Sequence, residues 1–394
     1  MTIGATGFVG QRLAEARQAR GIAQADFAAL VGLSPQSMSK YENDKQNPTQ
    51  EVVDLLASHL RFPRSYFFLP YRFGDDKPIF WRSKLTAPKG KKEGAKVRLD
   101  WVKSAVDYLC AFLDFSPVNV PLIDTPSDIA LMDDQFIEEA AASIREQWEI
   151  APGPMPDVLE RMELNGIFVS RIHVRAEKLD AFSQWSDHYG VPFVVLSRDK
   201  ASACRQRFDA LHELAHLVLH RSVTHKQMSN ASTYKLLEKQ ADKLASALLL
   251  PERDFLDELY APSLDAFVSM KSRWKASVGA MIMRAHQLDI ISDDYKTRLW
   301  MNYTRRGYKR NGEPLDNSLP KEEPHMIRAG FMMLLESGRQ TKSDILSALP
   351  FPADDLEEIA DLEQGTLSGE TVAEKRQPKL REDLGENVVS IFGD

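Results

Sequence analysis

The sequence predicts a mainly α-helical protein with a small β-sheet, an α+β fold divided into several domains. Its length of 394 residues exceeds the common size of one domain, about 100 to 200 residues. Apolar residues recur at helical spacing over most of the chain, with glycine and proline between the helices. Two short segments rich in β-branched and aromatic residues, 167–169 and 192–196, predict strands.

The bulk composition limits the classes of protein to which the chain can belong. Hydrophobic residues make up 43% and charged residues 27% of the chain, which is typical of a folded globular protein. The net charge of -7 means that any DNA-binding surface must be local. Two cysteines, Cys110 and Cys204, are too few for a disulfide framework, and no apolar run reaches the roughly 18 residues of a membrane span. We therefore expect a cytoplasmic protein with no membrane partner.

Changes in composition along the chain predict five segments. Basic residues and glycines dominate from Arg82 to Lys103, which indicates a flexible linker that runs into a helix at about Val97. Beyond the two strand candidates we expect a helix over 208–220 and a second one over about 236–250, which ends at a proline. The segments are a helical domain (1–75), a basic linker (76–105), an α+β domain (106–255), a helical extension (256–364) and a flexible tail (365–394).

The N-terminal domain has the residue spacing of a helix-turn-helix. Ser34 directly precedes Pro35, an N-cap followed by a residue suited to the first helical position, and Gly32 lies in the turn before them. Gln36 can read adenine in the major groove through its amide, and Lys40 can reach guanine or a phosphate. The alternative is a helical module that binds protein instead of DNA. The side chains that face outward from the second helix are Pro35, Gln36, Ser39 and Lys40.

Over roughly its first 70 residues the sequence resembles the lambda-repressor-like, or XRE, family of helix-turn-helix domains. The strings LAEARQARGIAQ (13–24) and VGLSPQSMSKYEN (31–43) carry the likeness. The resemblance implies that Arg17 pairs with Glu42 as a structural brace. Because the charges of the domain nearly balance, binding to a double-stranded operator requires a homodimer or help from the basic linker. The implied DNA contacts are to phosphates from Gln24 and Asn43, and to bases from Gln36, Ser39 and Lys40.

The string FDALHELAHLVLH (208–220) predicts a metal site. His212 and His216 are four residues apart, so on a helix they lie on the same face and can bind one ion. Glu213 then lies beside the open coordination position, where it can take a proton from a metal-bound water. His220 is unsuitable as a third ligand, because eight helical residues separate it from His212 by about 12 Å.

The third ligand is expected on the next helix. Glu238 can ligate the metal, and Asp242, about one turn later, can accept the free ring N–H of a ligand histidine. The alternative is that Glu238 is a solvated surface charge. His173, His188, Tyr189 and Tyr234 are candidate donors to a reacting carbonyl, among which the sequence does not choose.

Residues from about 159 to 251 resemble the ImmA/IrrE family of metallopeptidases. The likeness lies in LNGIFV (164–169), AFS (181–183), RFDALHELAH (207–216), LH (219–220), EKQAD (238–242) and LLLP (248–251). The segment that follows, to about residue 315, is similar to the helical extension of longer family members with an N-terminal DNA-binding domain. The resemblance implies a zincin-like domain with one Zn²⁺ per chain. Its ligands would be His212, His216 and Glu238, with Glu213 as the catalytic base and Asp242 supporting a ligand.

The sequence leaves two function classes open. The first is a DNA-binding transcriptional regulator whose zinc-dependent endopeptidase cleaves a partner regulatory protein, a repressor or antitoxin, by attack of zinc-bound water assisted by Glu213. The second is a non-proteolytic XRE-type transcription factor or antitoxin whose metallopeptidase-like domain is a sensor or scaffold. An intact Glu213 favours the first, because a structural zinc site needs no general base. The sheet edge would then pair with an extended substrate segment.

Overall fold

The N-terminal helices form a compact bundle in which local capping sets the helix boundaries. The computed structural model describes residues 4–70, 77–83, 89–173, 179–199 and 202–369. The Oγ of Ser34 accepts a hydrogen bond from the backbone N–H of Ser37, and Gly32 adopts a φ of 68° in the preceding turn. A 3-10 turn at Arg64–Phe68 follows the bundle. The helices of the N-terminal bundle are α1 (Gly10–Ala19), α2 (Gln24–Leu30), α3 (Pro35–Glu42) and α4 (Gln50–Leu60).

A buried ion pair braces this bundle. The guanidinium of Arg17 contacts both carboxylate oxygens of Glu42, at 2.6 and 2.9 Å, and both residues are 8% exposed. The pair joins α1 to α3, so it fixes the helix with the outward polar residues relative to the rest of the bundle. The pairing implied by the XRE resemblance is confirmed.

The sheet has four strands in the order β1-β3-β4-β2 among the described residues. β2 and β4 are parallel, and the other neighbours are antiparallel. The two strand predictions are confirmed as β2 and β4, whereas β1 and β3 were not predicted. The strands are β1 (Phe80–Ser83), β2 (Phe168–Ile172), β3 (Leu179–Trp185) and β4 (Pro192–Ser197).

The remaining helices surround this sheet, which confirms the mainly helical α+β class. Two of them, α8 and α10, pack against each other, and α8 also packs against β3 and β4. They are α5 (Lys89–Cys110), α6 (Asp134–Gln147), α7 (Val158–Leu164), α8 (Ala203–Leu219), α9 (His225–Met228), α10 (Ala231–Leu249), α11 (Glu252–Glu258), α12 (Leu264–Trp274), α13 (Val278–Gln287), α14 (Asp293–Arg305), α15 (Tyr308–Asn311), α16 (Met326–Glu336), α17 (Lys342–Ala348) and α18 (Ala353–Ile359).

The basic segment 76–105 does not form a flexible linker where it is described. β1 joins the sheet, and α5 packs against α1, α16 and α18. Arg98 and Lys103, which were counted among the basic residues of the predicted linker, are each 4% exposed. Arg98 donates to Glu358 at 2.9 Å, and Lys103 donates to Gln184 at 2.6 Å. The prediction failed because basic side chains with buried partners leave the same pattern in the sequence as solvated ones. Residues 76 and 84–88 lie outside the described residues.

Apolar residues cover both faces of the sheet. One core joins the N-terminal bundle, α5, α16 and α18 to the face that carries Phe182 and Phe193. The other joins α8 and α10 to the face that carries Ala181 and Val194, and it continues into α12 and α13. The helices predicted as a C-terminal extension are therefore packed on the α+β domain. Within the described ranges, no helix is both long and apolar enough to span a bilayer.

The start of the predicted tail is anchored to α18. The carboxylate of Glu357 accepts hydrogen bonds from the backbone N–H groups of Gly365, Leu367 and Ser368. Leu367 is 3% exposed. The rest of the predicted tail, 370–394, lies outside the described residues.

A buried carboxylate ties the chain after residue 315 to α7 and α8. Glu322 accepts hydrogen bonds from the backbone N–H groups of Val158, at 2.8 Å, and Leu159, at 3.3 Å, at the start of α7. It also pairs with the guanidinium of Arg207, which is 1% exposed. Glu322 thus neutralises a buried cation on α8.

The variant Glu322→Gln is expected to lower the free energy of unfolding by about 3 kcal/mol. The amide keeps an acceptor for α7 but leaves the buried guanidinium of Arg207 without a counter-charge. Chemical denaturation followed by circular dichroism measures the change.

Asp265→Asn is the matched control, because it makes the same chemical change in a pair with Arg306 that lies at the surface. We expect no resolvable change in this variant, since exposed ion pairs contribute little. Equal losses of stability in the two variants would show that the burial of Arg207 is not what matters.

Candidate functional site

Three potential metal ligands converge between α8 and α10. The Nε2 atoms of His212 and His216 lie 3.1 Å apart. Glu238 Oε2 lies 3.6 Å from the Nε2 of His212, and Glu238 Oε1 lies 3.3 Å from that of His216. Ligand atoms around a tetrahedral zinc ion are separated by roughly 3.3 Å. The spacing of the three donors therefore fits one ion, and these three residues are the ligands predicted from the sequence.

The second ring nitrogen of His212 is engaged by Asp242. The Nδ1 of His212 lies 2.9 Å from Asp242 Oδ1, which also accepts a hydrogen bond from Arg82 at 3.2 Å. A carboxylate at Nδ1 assigns the proton to that nitrogen and leaves the lone pair of Nε2 for a metal. Asp242 thus has the position expected of a residue that orients a ligand histidine.

His216 is oriented by a chain of polar groups that the sequence did not reveal. Its Nδ1 lies 2.9 Å from the Nδ1 of His220, and the Nε2 of His220 lies 3.2 Å from Gln240 Oε1. The Nε2 of Gln240 donates to the carbonyl of Ile129 at 2.7 Å. If each group donates to the next, the Nε2 of His216 carries no proton. His220 lies outside the group of three potential ligands, and its contact with Nδ1 fixes the tautomer of His216.

Glu213 lies beside the histidines and has one anchored oxygen. It is fully buried, and Ser183 Oγ on β3 donates to its Oε2 at 2.6 Å. Its Oε1 accepts no hydrogen bond from any described residue. Burial raises the pKa of Glu213 to about 8, while His212 and the hydrogen bond from Ser183 act in the opposite direction. The carboxylate is thus fixed in place with one oxygen available for a proton.

The ionisation of two of the three potential ligands, Glu238 and His216, suits a metal. Burial alone would raise the pKa of Glu238, but the contacts with the rings of His212 and His216 hold it well below its usual range. Burial lowers the pKa of His216 to about 4, which favours the neutral ring. A carboxylate and a neutral imidazole are the forms that bind a cation.

Strand β1 crosses this site, which the sequence analysis missed. The ring of Phe80 stacks on that of His216, with 4.6 Å between centroids and 11° between planes. The hydroxyl of Tyr234 donates to the carbonyl of Trp81 at 2.6 Å, and Arg82 forms an ion pair with Asp209 at 2.5 Å. A cleft of about 710 Å³ opens next to Tyr234, Glu238 and Asp242. The run of β-branched and aromatic residues before Arg82 was the only signal of this strand, and the basic residues that follow obscured it.

The predicted DNA-facing residues lie at one surface of the N-terminal bundle. Pro35, Gln36 and Lys40 on α3 are exposed, and Ser39 is half-buried. The two residues implied as phosphate contacts are engaged within the domain. Gln24 Nε2 donates to Glu42 at 2.7 Å, and Asn43 Nδ2 donates to the carbonyl of Ser39 at 2.7 Å.

Comparisons with known families agree with the two sites. The family model of a helix-turn-helix matches residues 13–67, which include α2 and α3. The family model described as the IrrE N-terminal-like domain, a peptidase family, matches residues 163–286, which include β2 to β4, α8 and α10. None of the curated proteins compared with the chain matches it. The chain therefore joins an XRE-type helix-turn-helix domain to a metallopeptidase-like domain of the ImmA/IrrE family.

Proposed function

We propose that the chain is a DNA-binding transcriptional regulator with a zinc-dependent endopeptidase that cleaves a partner regulatory protein. One observation carries the proposal: the Nε2 atoms of two buried histidines face a carboxylate while their Nδ1 atoms are engaged elsewhere. This arrangement presents three donors to one ion and keeps a general base, Glu213, beside it. A structural site would need only the donors.

The donors fit zinc and one ion per chain. Two imidazoles and one carboxylate form a catalytic zinc set with an open fourth position. Glu213 Oε1 and Glu238 Oε1 are buried oxygens with no hydrogen-bond partner among the described residues. Buried acceptors of this kind are costly unless a cation or a water satisfies them. When bound, zinc would lower the pKa of a water ligand and polarise the substrate carbonyl.

Residues of the chain itself supply the proton transfers. Glu213 takes the proton of the attacking water on Oε1 and delivers it to the leaving nitrogen. Ser183 holds the other oxygen and so keeps the carboxylate oriented during both transfers. Tyr234, one helical turn before Glu238, offers its hydroxyl to the carbonyl oxygen on which charge develops. It thereby becomes the favoured donor among the candidates from the sequence.

The variant Glu213→Gln is expected to retain zinc and DNA binding and to lose cleavage by several orders of magnitude, because it removes the base and leaves the three ligands intact. His212→Ala and Glu238→Ala should lose both zinc and cleavage. Metal analysis of the purified full-length chain measures the zinc content. The uncleaved protein that accumulates in cells carrying Glu213→Gln identifies the substrate, which we expect to be a repressor or antitoxin.

Glu146→Gln is the control for this series, since Glu146 is exposed on α6 away from the histidines. It should change neither zinc content nor cleavage. A normal transcriptional response from Glu213→Gln in cells without the wild-type protein would exclude proteolysis as the function. It would favour the alternative of a sensor or scaffold.

DNA binding is proposed for α3, with its N-terminal residues in the major groove. Ser34 and Pro35 fix the start of the helix, and Gln36 and Lys40 project from the exposed face. Asn43 and Gln24 reach phosphates if they exchange their internal hydrogen bonds for contacts with DNA. A homodimer presents two such helices to an operator and neutralises more phosphates than one copy can.

Replacing one base-facing residue tests this assignment. Gln36→Ala should weaken binding to the operator by about 1–3 kcal/mol and weaken binding to unrelated DNA much less, because the amide contacts a base edge. Fluorescence anisotropy at two salt concentrations measures both affinities. The matched control is Gln135→Ala on α6, which should bind as the wild type does. An equal loss on both kinds of DNA would contradict base reading by Gln36.

A further inference from the structure

The register of β1 on β3 determines which of its side chains face the metal-binding helix. Phe80 pairs with Ser183, Trp81 with Phe182 and Arg82 with Ala181. Side chains of directly paired residues in antiparallel strands lie on the same face of a sheet. Ser183 faces Glu213 on α8. Phe80 and Arg82 therefore face α8 as well, and Trp81 packs on the opposite face.

Phe80 fills a pocket whose wall is one of the proposed ligands. Its side chain is 4% exposed and lies against the rings of His216 and His220. With Val223 and Leu237 it forms a small apolar cluster that is separate from the two larger cores. The pocket has the shape and chemistry to accept an aromatic side chain.

Arg82 occupies the other side of the site. Its guanidinium forms ion pairs with Asp209 at 2.5 Å and with Asp242 at 3.2 Å. Asp209 is 2% exposed, so without a cation in this position a buried carboxylate would lack a counter-charge. The two acidic residues form a pocket for a basic side chain two positions after the aromatic one.

The backbone between the two anchors of β1, Phe80 and Arg82, makes the hydrogen bonds expected of a bound peptide substrate. The carbonyl of Trp81 accepts the hydrogen bond of Tyr234, and β1 is paired along the edge of β3. An extended peptide adds to a sheet edge in this way, through backbone hydrogen bonds, while alternate side chains enter pockets. β1 thus makes the backbone and alternate side-chain contacts by which an extended peptide adds to this edge.

We propose that the edge of β3 beside α8 and α10 is the peptide-binding groove, and that β1 is its built-in occupant. This inference rests on the proposed function and extends it to the substrate class. The substrate is an extended segment with an aromatic residue followed two positions later by arginine, and it must displace residues 80–82 to bind. The strand is short and its pairing is irregular between Arg82 and Ser83, so an external segment can compete with it.

A peptide-binding assay tests the proposal without requiring hydrolysis. The probe is a fluorescein-labelled peptide, Lys-Pro-Ile-Phe-Trp-Arg-Ser, which has the sequence of residues 77–83. The parent protein is the full chain with Glu213→Gln, loaded with zinc, so that the probe stays intact. Phe80→Asp combined with Arg82→Glu removes both anchors of β1 and frees the groove.

The freed variant should bind the probe on the order of a hundredfold more tightly than the parent does, because an occupant present about 99% of the time reduces the apparent affinity by that factor. Lys77→Glu is the control, since it changes charge in the same segment but pairs at the surface with Asp187. It should bind the probe as the parent does. A second probe, with alanine in place of the phenylalanine and the arginine, should bind the freed variant much more weakly.

Equal binding of the first probe to parent and freed variant would overturn the proposal, as would equal binding of the two probes to the freed variant. If metal analysis and circular dichroism show that the freed variant is unfolded, hydrogen exchange on the parent decides instead. Excess probe should then accelerate exchange of the amides of Phe80 and Arg82, and unchanged exchange would overturn the proposal. If the freed variant binds the probe but the same variant with Glu213 restored does not cleave it, this inference stands while the proposed endopeptidase fails.

Discussion

The packing of α8 against α10 is the contact on which the candidate site depends. One helix carries His212, Glu213 and His216, and the other carries Glu238, Asp242 and Gln240. The four-residue spacing on each helix aligns its polar groups on one face, but only the contact between the helices brings the third donor to the first two. The sheet supports α8 from the opposite side, where Ser183 reaches Glu213.

Burial fixes the orientation of the side chains in this site, and it also makes each unpaired polar atom there unfavourable for folding. His212, Glu213, His216 and His220 are at most 1% exposed, so each unpaired polar atom among them destabilises the fold. Asp242, Ser183 and Gln240 satisfy most of these atoms. Among the described residues of this network, Glu213 Oε1 and Glu238 Oε1 have no hydrogen-bond partner, and they lie where an ion and a water would bind. A polar network that is complete except at the proposed ion position is expected of a preorganised site.

Local patterns in the sequence were sufficient to predict the helix-turn-helix, the helix that carries His212 and His216, and the proximity of Glu238 to these two histidines. Each depends on spacing within one or two helices, which a sequence displays directly. β1 and β3 were missed because their pairing joins residues about 100 apart, and because β3 buries polar residues. Ser183 and Gln184 are buried in β3, where their side chains form hydrogen bonds with Glu213 and Lys103. The role of His220 was also invisible, because it depends on which ring nitrogen of His216 carries the proton.

Anomalous scattering at the zinc edge, from crystals of the full chain grown with zinc, tests most directly whether α8 and α10 together hold one catalytic ion. The structure predicts one peak per chain, at about 2.0–2.2 Å from the Nε2 atoms of His212 and His216 and from a carboxylate oxygen of Glu238. Asp242 and His220 should remain on the Nδ1 atoms. A peak bound through Nδ1, a peak on Asp242 in place of Glu238, or no peak between the two helices would contradict the proposed centre.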